Sequence, residues 1–191
     1  MRSTRCRWTV GFAAALLVAP VLAVADTGSP TSKSPSDAEL IRIALSAAPA
    51  GIARQAAVVT MEADGTMRTL RKGTNGFTCM AGNLDVPGPD AMCADGASMA
   101  WVHAYMDKKA PPSRAGLVYM LAGGTDTSNT DPFAHAPPKT GKWIRTGPHV
   151  MIVGADKAFY EQYPKGSDPD TSVPYLMWAG TPYEHLMAPT K

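Results

Sequence analysis

Cysteine, aromatic residues and charge are all scarce in this chain of 191 residues, and each scarcity removes a class of protein. Three cysteines cannot build the multi-bridge framework of a small disulfide scaffold. They also lack the Cys-x-x-Cys spacing of a zinc ribbon or a dithiol redox centre. Charged residues are 18% of the chain and the formal net charge is +2, a mild basicity that invites a polyanion partner only until the N-terminus is read. No Gly-x-Ser-x-Gly elbow, His-Glu-x-x-His zinc helix or phosphate-cradling glycine loop occurs. Long hydrophobic runs are missing as well, apart from one near the N-terminus.

That run carries an address. Arg2, Arg5 and Arg7 precede an apolar stretch from Val10 to Val18, and Ala23-Val24-Ala25 places small residues ahead of Asp26. Residues 1–25 therefore read as a secretory signal peptide, and the stretch is shorter than the roughly 20 residues a bilayer span requires. Cleavage would remove three arginines and no acid, turning a net charge of +2 into about −1. The expectation is an exported protein, periplasmic or secreted, with no nucleic-acid partner and no membrane insertion once the signal is gone. Cys6 departs with the signal. Cys79 and Cys93 then form a pair that an oxidising compartment would join in one disulfide.

Residues 26–36, rich in Ser, Thr and Pro, read as a flexible lead-in, and residues 37–191 as a single globular domain. Ser36 and Glu39 make a capping box ahead of Leu40, Ile41, Ala44 and Leu45 at helical spacing, closed by Pro49. A second short helical piece is expected at residues 50–56. Residues 58–61 and 67–70 flank Ala63-Asp64-Gly65, a hairpin signal. Gly73-Thr74-Asn75-Gly76 then turns the chain into residues 77–80, suggesting a three-stranded antiparallel meander. Trp101, Val102, Tyr105 and Met106 give a helix over about residues 97–108 its apolar face. Short strands are expected at residues 117–121, 150–153 and 175–178, with one or two helical turns within 157–163. With 17 Gly and 17 Pro the chain is loop-rich. The most economical fold is α+β: a small antiparallel sheet, about two helices packed on one face, and one disulfide.

Three stretches resemble a family of exported bacterial proteins that has no known activity. They are residues 73–79 (GTNGFTC), residues 147–151 (GPHVM) and residues 174–187 (PYLMWAGTPYEHLM). The resemblance runs from the first helix to the C-terminus and implies a secreted bacterial single domain. It implies no reaction, no ligand and no catalytic residue.

The most specific local chemistry is a doubled pattern, His149-Val150-Met151 and His185-Leu186-Met187, in a chain with 11 methionines. Neutral imidazole with thioether is a soft ligand set suited to copper, Cu(I) above all, so His149, Met151, His185 and Met187 are candidate metal ligands. Positions i and i+2 on a strand lie about 6.6 Å apart, so two neighbouring segments are better placed to converge than one pair. The plainer reading makes the methionines core fillers and the histidines partners of backbone groups beside prolines. Asp126 to Asp131 faintly resembles a calcium loop but lacks its glycine and terminal Glu; a turn held by its own side chains explains it more simply. Trp143, Tyr175, Trp178 and Tyr183 are candidates to line a groove, with Trp143 the most exposed.

Three functions follow. The first is a non-catalytic binding or accessory protein for a small molecule or envelope component, its ligand residues His149, Thr181, Tyr183, His185 and Asn75. The second is a cell-envelope hydrolase with a His general base, and the third a periplasmic copper protein using the His-x-Met pairs. The binding reading comes first.

Overall fold

The computed structural model describes residues 34–86, 88–135 and 143–190. The expected signal peptide and residues 26–33 of the lead-in lie outside them. Ser36 Oγ accepts the Glu39 amide at 3.3 Å and starts α1 (Asp37–Leu45). Only half of the capping box forms, because the Glu39 carboxylate turns to Arg42 instead of the Ser36 amide. One further turn, α2 (Ala50–Ala53), leads into the hairpin β1 (Ala57–Met61) and β2 (Met67–Arg71), where Gly65 takes the positive φ that the turn demands.

The meander expected next does not form. After β2 the chain crosses the start of β1, where a Cβ on Gly73 would collide with the Ala57 backbone nitrogen. It continues as β3 (Thr78–Met80), parallel to β1 on its far side. Only glycine permits that close passage, and the passage makes the sheet mixed. Then follow β4 (Met92–Ala94), α3 (Gly96–Met106), β5 (Gly116–Met120), β6 (His149–Val153), α4 (Lys157–Tyr160), β7 (Tyr175–Met177) and β8 (His185–Pro189).

All eight strands join one sheet in the order β2-β1-β3-β4-β5-β6-β8-β7, antiparallel except for β1 with β3. This corrects the expected small antiparallel sheet: the sheet is large and mixed, and four short helices occur among the described residues. The helices also do not share one face. Successive side chains on a strand point to opposite sides. Cys93 packs with Cys79, Val58 and Ala44 under α1, whereas its neighbour Ala94 packs with Trp101 and Val102 of α3. By the same alternation Tyr160 of α4, with Leu176 and Leu186, lies on the α1 side at the other end. Cys79 and Cys93 are paired across β3 and β4 and joined by a disulfide. No helix among the described residues is long and apolar enough to cross a membrane.

Candidate functional site

The four strands β5, β6, β8 and β7 present one face to α3, and the strand register fixes which residues share it. His149 stands opposite Met120 on β5 and Pro189 on β8, Met151 opposite Met187, and His185 opposite Val153 on β6 and Met177 on β7. The doubled His-x-Met pattern thus becomes a row on one face, with the two methionines paired in the middle and a histidine at each end. Four residues separate the ends along the strand, about 13 Å. The structure therefore brings Met151 and Met187 together, while the backbones of His149 and His185 stand apart and their rings remain near enough for a charge on His149 to help lower the His185 pKa.

Each histidine makes the same local bond. His149 Nδ1 lies 2.6 Å from the carbonyl oxygen of Gly147, and His185 Nδ1 lies 2.8 Å from that of Tyr183. A carbonyl only accepts, so Nδ1 carries the proton in both rings and the lone pair falls on Nε2. Both Nε2 atoms are buried and have no protein partner. Burial drives both pKa values down, that of His185 to about 4, with the carbonyl contacts opposing it. Both rings are therefore neutral imidazoles at physiological pH.

Aromatic rings close over His185. Trp178 and Trp101 meet it edge-on, with centroids at 4.9 and 5.5 Å. Tyr105 stacks between Phe133 and Trp178, while Tyr183 stands edge-on to Trp101, Tyr105 and Phe133. Trp178 holds a backbone φ of 56°, a conformation costly for a bulky residue. Its backbone amide bonds the Asn129 carbonyl and its indole N–H the Ser128 carbonyl. Asn129 is buried and donates to the Gly166 and Leu176 carbonyls. The stretch from Asp126 to Asp131 is thus a clamp on the end of β7, in which Ser128 Oγ accepts the Thr130 and Asp131 amides and Asp131 Oδ1 the Phe133 amide, while Asn129 Oδ1 is buried without a partner.

The other expected site residues separate. Thr181 Oγ1 donates to the Trp178 carbonyl and accepts the Tyr183 amide, which shapes the turn entering β8. Tyr183 is buried in the aromatic cluster. Asn75 lies far along the chain's other half, donating to the Ile52 carbonyl and accepting the Phe77 amide, so its amide serves the fold. Trp143 is half-buried with its indole nitrogen enclosed, contrary to the expected exposure.

Two cavities adjoin this face. A cleft of about 220 Å³ is lined by Trp101, Pro111, Pro112, Lys157, Thr181 and Glu184, among others. A much smaller one, about 10 Å³, is lined by Thr146, His149, Thr171, Tyr175 and Met187 together with backbone around Gly147. No known family model, curated protein or solved structure matches the chain. The chemistry of these two places is what remains to read.

Among the described residues no group of three or more His, Cys, Asp or Glu side chains is placed to hold a metal ion. The soft His and Met donors are a separate set, all on the α3 face. Thr181, His149 and His185 stood out in the sequence through their unusual motif. Trp101, Lys157 and Ser113 did not stand out as cleft residues, because they come from three segments that meet only through the sheet. The only signal for them was the proline pair at 111 and 112.

Proposed function

We propose that this is an exported binding protein of the periplasm or cell exterior, taking a small molecule, or a protruding group of an envelope component, in the cleft beside Trp101. The observation that carries the reading is the composition of that cleft. Its lining sets Trp101, Pro111, Pro112 and Pro182 beside Ser113, Lys157, Thr181 and Glu184 and is more polar than apolar; Lys157 also pairs with Glu161, and the Glu184 carboxylate accepts the Gly180 amide. Its 220 Å³ is below the roughly 300 Å³ where drug-sized sites begin, so a ligand of few heavy atoms suits it. Lys157 and Glu184 bring opposite charges to one opening. A ligand with an apolar body and polar ends of both kinds, such as a dipeptide, matches that lining.

The Arg-led apolar leader supports export, as does the Cys79–Cys93 disulfide, a bridge that oxidising compartments maintain. We put binding ahead of hydrolysis because, among the described residues, no hydrogen bond joins a His to a Ser, Thr, Asp or Glu side chain; His149 and His185 are oriented through Nδ1 by backbone carbonyls instead.

The test is a titration of the ¹⁵N-labelled mature protein with alanyl-glutamate and with N-acetylglucosamine. Saturable shifts at the Trp101 indole, Thr181 and Glu184 are expected with at least one probe, weakened by Lys157→Ala. Shifts that are absent, or scattered over the surface, would overturn the cleft as a binding site.

A further inference from the structure

The geometry points to a second site, separate from the cleft: His149 Nε2 and the Met187 thioether form a binding site for Cu(I) in the small cavity between them. It stands or falls independently of whether the cleft binds anything.

The first observation is the unpartnered nitrogen. The Gly147 carbonyl fixes the proton on Nδ1, which leaves the Nε2 lone pair buried with no protein donor facing it. A buried acceptor left bare is costly. An imidazole anchored through one nitrogen to a backbone carbonyl, with the other nitrogen free, is the arrangement that metal-ligating histidines adopt. Gly124 passes close to the ring: a Cβ there would collide with Thr146 Oγ1 and come within 3.2 Å of His149 Cε1.

The second observation is the cavity. His149 and Met187 are diagonal neighbours across β6 and β8, a spacing that long side chains bridge, and both line the space of about 10 Å³. Such a volume takes one water-sized guest. No carboxylate or cysteine lines it; Thr146, Thr171 and Tyr175 supply neutral hydroxyls. Hard divalent ions need several anionic oxygens, and none is there. A neutral lining penalises a buried monovalent ion less than a divalent one, and a nitrogen-plus-thioether pair is the soft set that selects Cu(I). Two more thioethers stand within one register step: Met151 opposite Met187, and Met120 opposite His149. Because the lone pair is already on Nε2, Cu(I) binding displaces no proton from the ring at neutral pH.

The competing guest is a single water donating to Nε2, and the experiment separates the two. The mature protein is titrated anaerobically against the Cu(I)–bicinchoninate complex, and the loaded protein is examined by X-ray absorption. Transfer of one equivalent of Cu(I), with imidazole nitrogen and sulfur in its first shell, is expected. Met187→Leu nearly conserves core volume and should weaken Cu(I) binding at least tenfold with the fold intact by circular dichroism. His149→Ala should abolish the transfer. A wild-type protein that takes no Cu(I), a first shell without sulfur, or a folded Met187→Leu protein that binds as tightly as wild type would overturn the site and leave the cavity to water. The spectroscopic arm on wild type decides the matter even where His149→Ala fails to fold.

Discussion

At the scale of single residues, His185 shows what burial does to a titratable ring that has no counter-charge. It is 1% exposed, and burial brings its pKa to about 4 despite the Tyr183 carbonyl. An unfolded imidazole protonates near pH 6.5. Between that value and about 4 the unfolded chain binds the proton and the folded one does not, so stability falls as the pH falls through this window. Above it the ring is neutral in both states and contributes no pH dependence. The loss accumulates to about 3 kcal/mol by pH 4, and His149, shifted the same way by burial, adds to it. Urea unfolding of the metal-free protein across that range should show the decline, and His185→Leu should reduce it. An equal decline in both proteins would mean that other groups carry it. The His-x-Met pattern was visible in the sequence because its residue types are unusual. The distance between the two histidines was not, since it depends on the antiparallel register of β6 with β8, which no local spacing encodes.

Elements differ in how openly they announce themselves. The first helix was readable because Ser36, Asp37 and Glu39 form a start signal and Leu40, Ile41 and Ala44 keep a 3.6-residue period. The strands β4 and β8 were not. Three-residue β4 shows no period at all, and β8 is buried over His185, Leu186 and Met187, so it lacks the in–out alternation that marks a half-buried strand. Its motif drew attention as chemistry and hid it as structure. The parallel step from β2 to β3 was also hidden, because it rests on one close approach at Gly73. The disulfide belongs to this scale, since it ties β3 to β4 over a separation of 14 residues. In the chain-entropy view a closure of that length is worth about 3 kcal/mol. Cys79→Ala/Cys93→Ala should accordingly lower the melting temperature by roughly 6–12 °C, measured calorimetrically. An unchanged midpoint would show that the unfolded state is not restrained by the bridge.

At the scale of the molecule, the described residues are organised by one sheet with two edges, and each edge is guarded differently. At one side β7 is only three residues long, too short to template another chain. At the other, β2 exposes Arg68, which bonds both Asp37 and Glu62 and keeps charge on the rim. Charged side chains on an edge oppose pairing with a second sheet. Arg68→Val should therefore raise light scattering during refolding while leaving the unfolding midpoint nearly unchanged; scattering equal to wild type would show that the edge is protected by other means. The strand order carries one more consequence. The inner strand β8 is the partner of β6, and residues 154–184 intervene between them in the chain. A chain emerging N-terminus first, from a ribosome or a translocation pore, holds β6 half-paired and β7 unpaired until residues 185–189 arrive. A product cut short anywhere between α4 and His185 is thus an open sheet with a bare aromatic face, a substrate for proteases and not a shortened version of the domain.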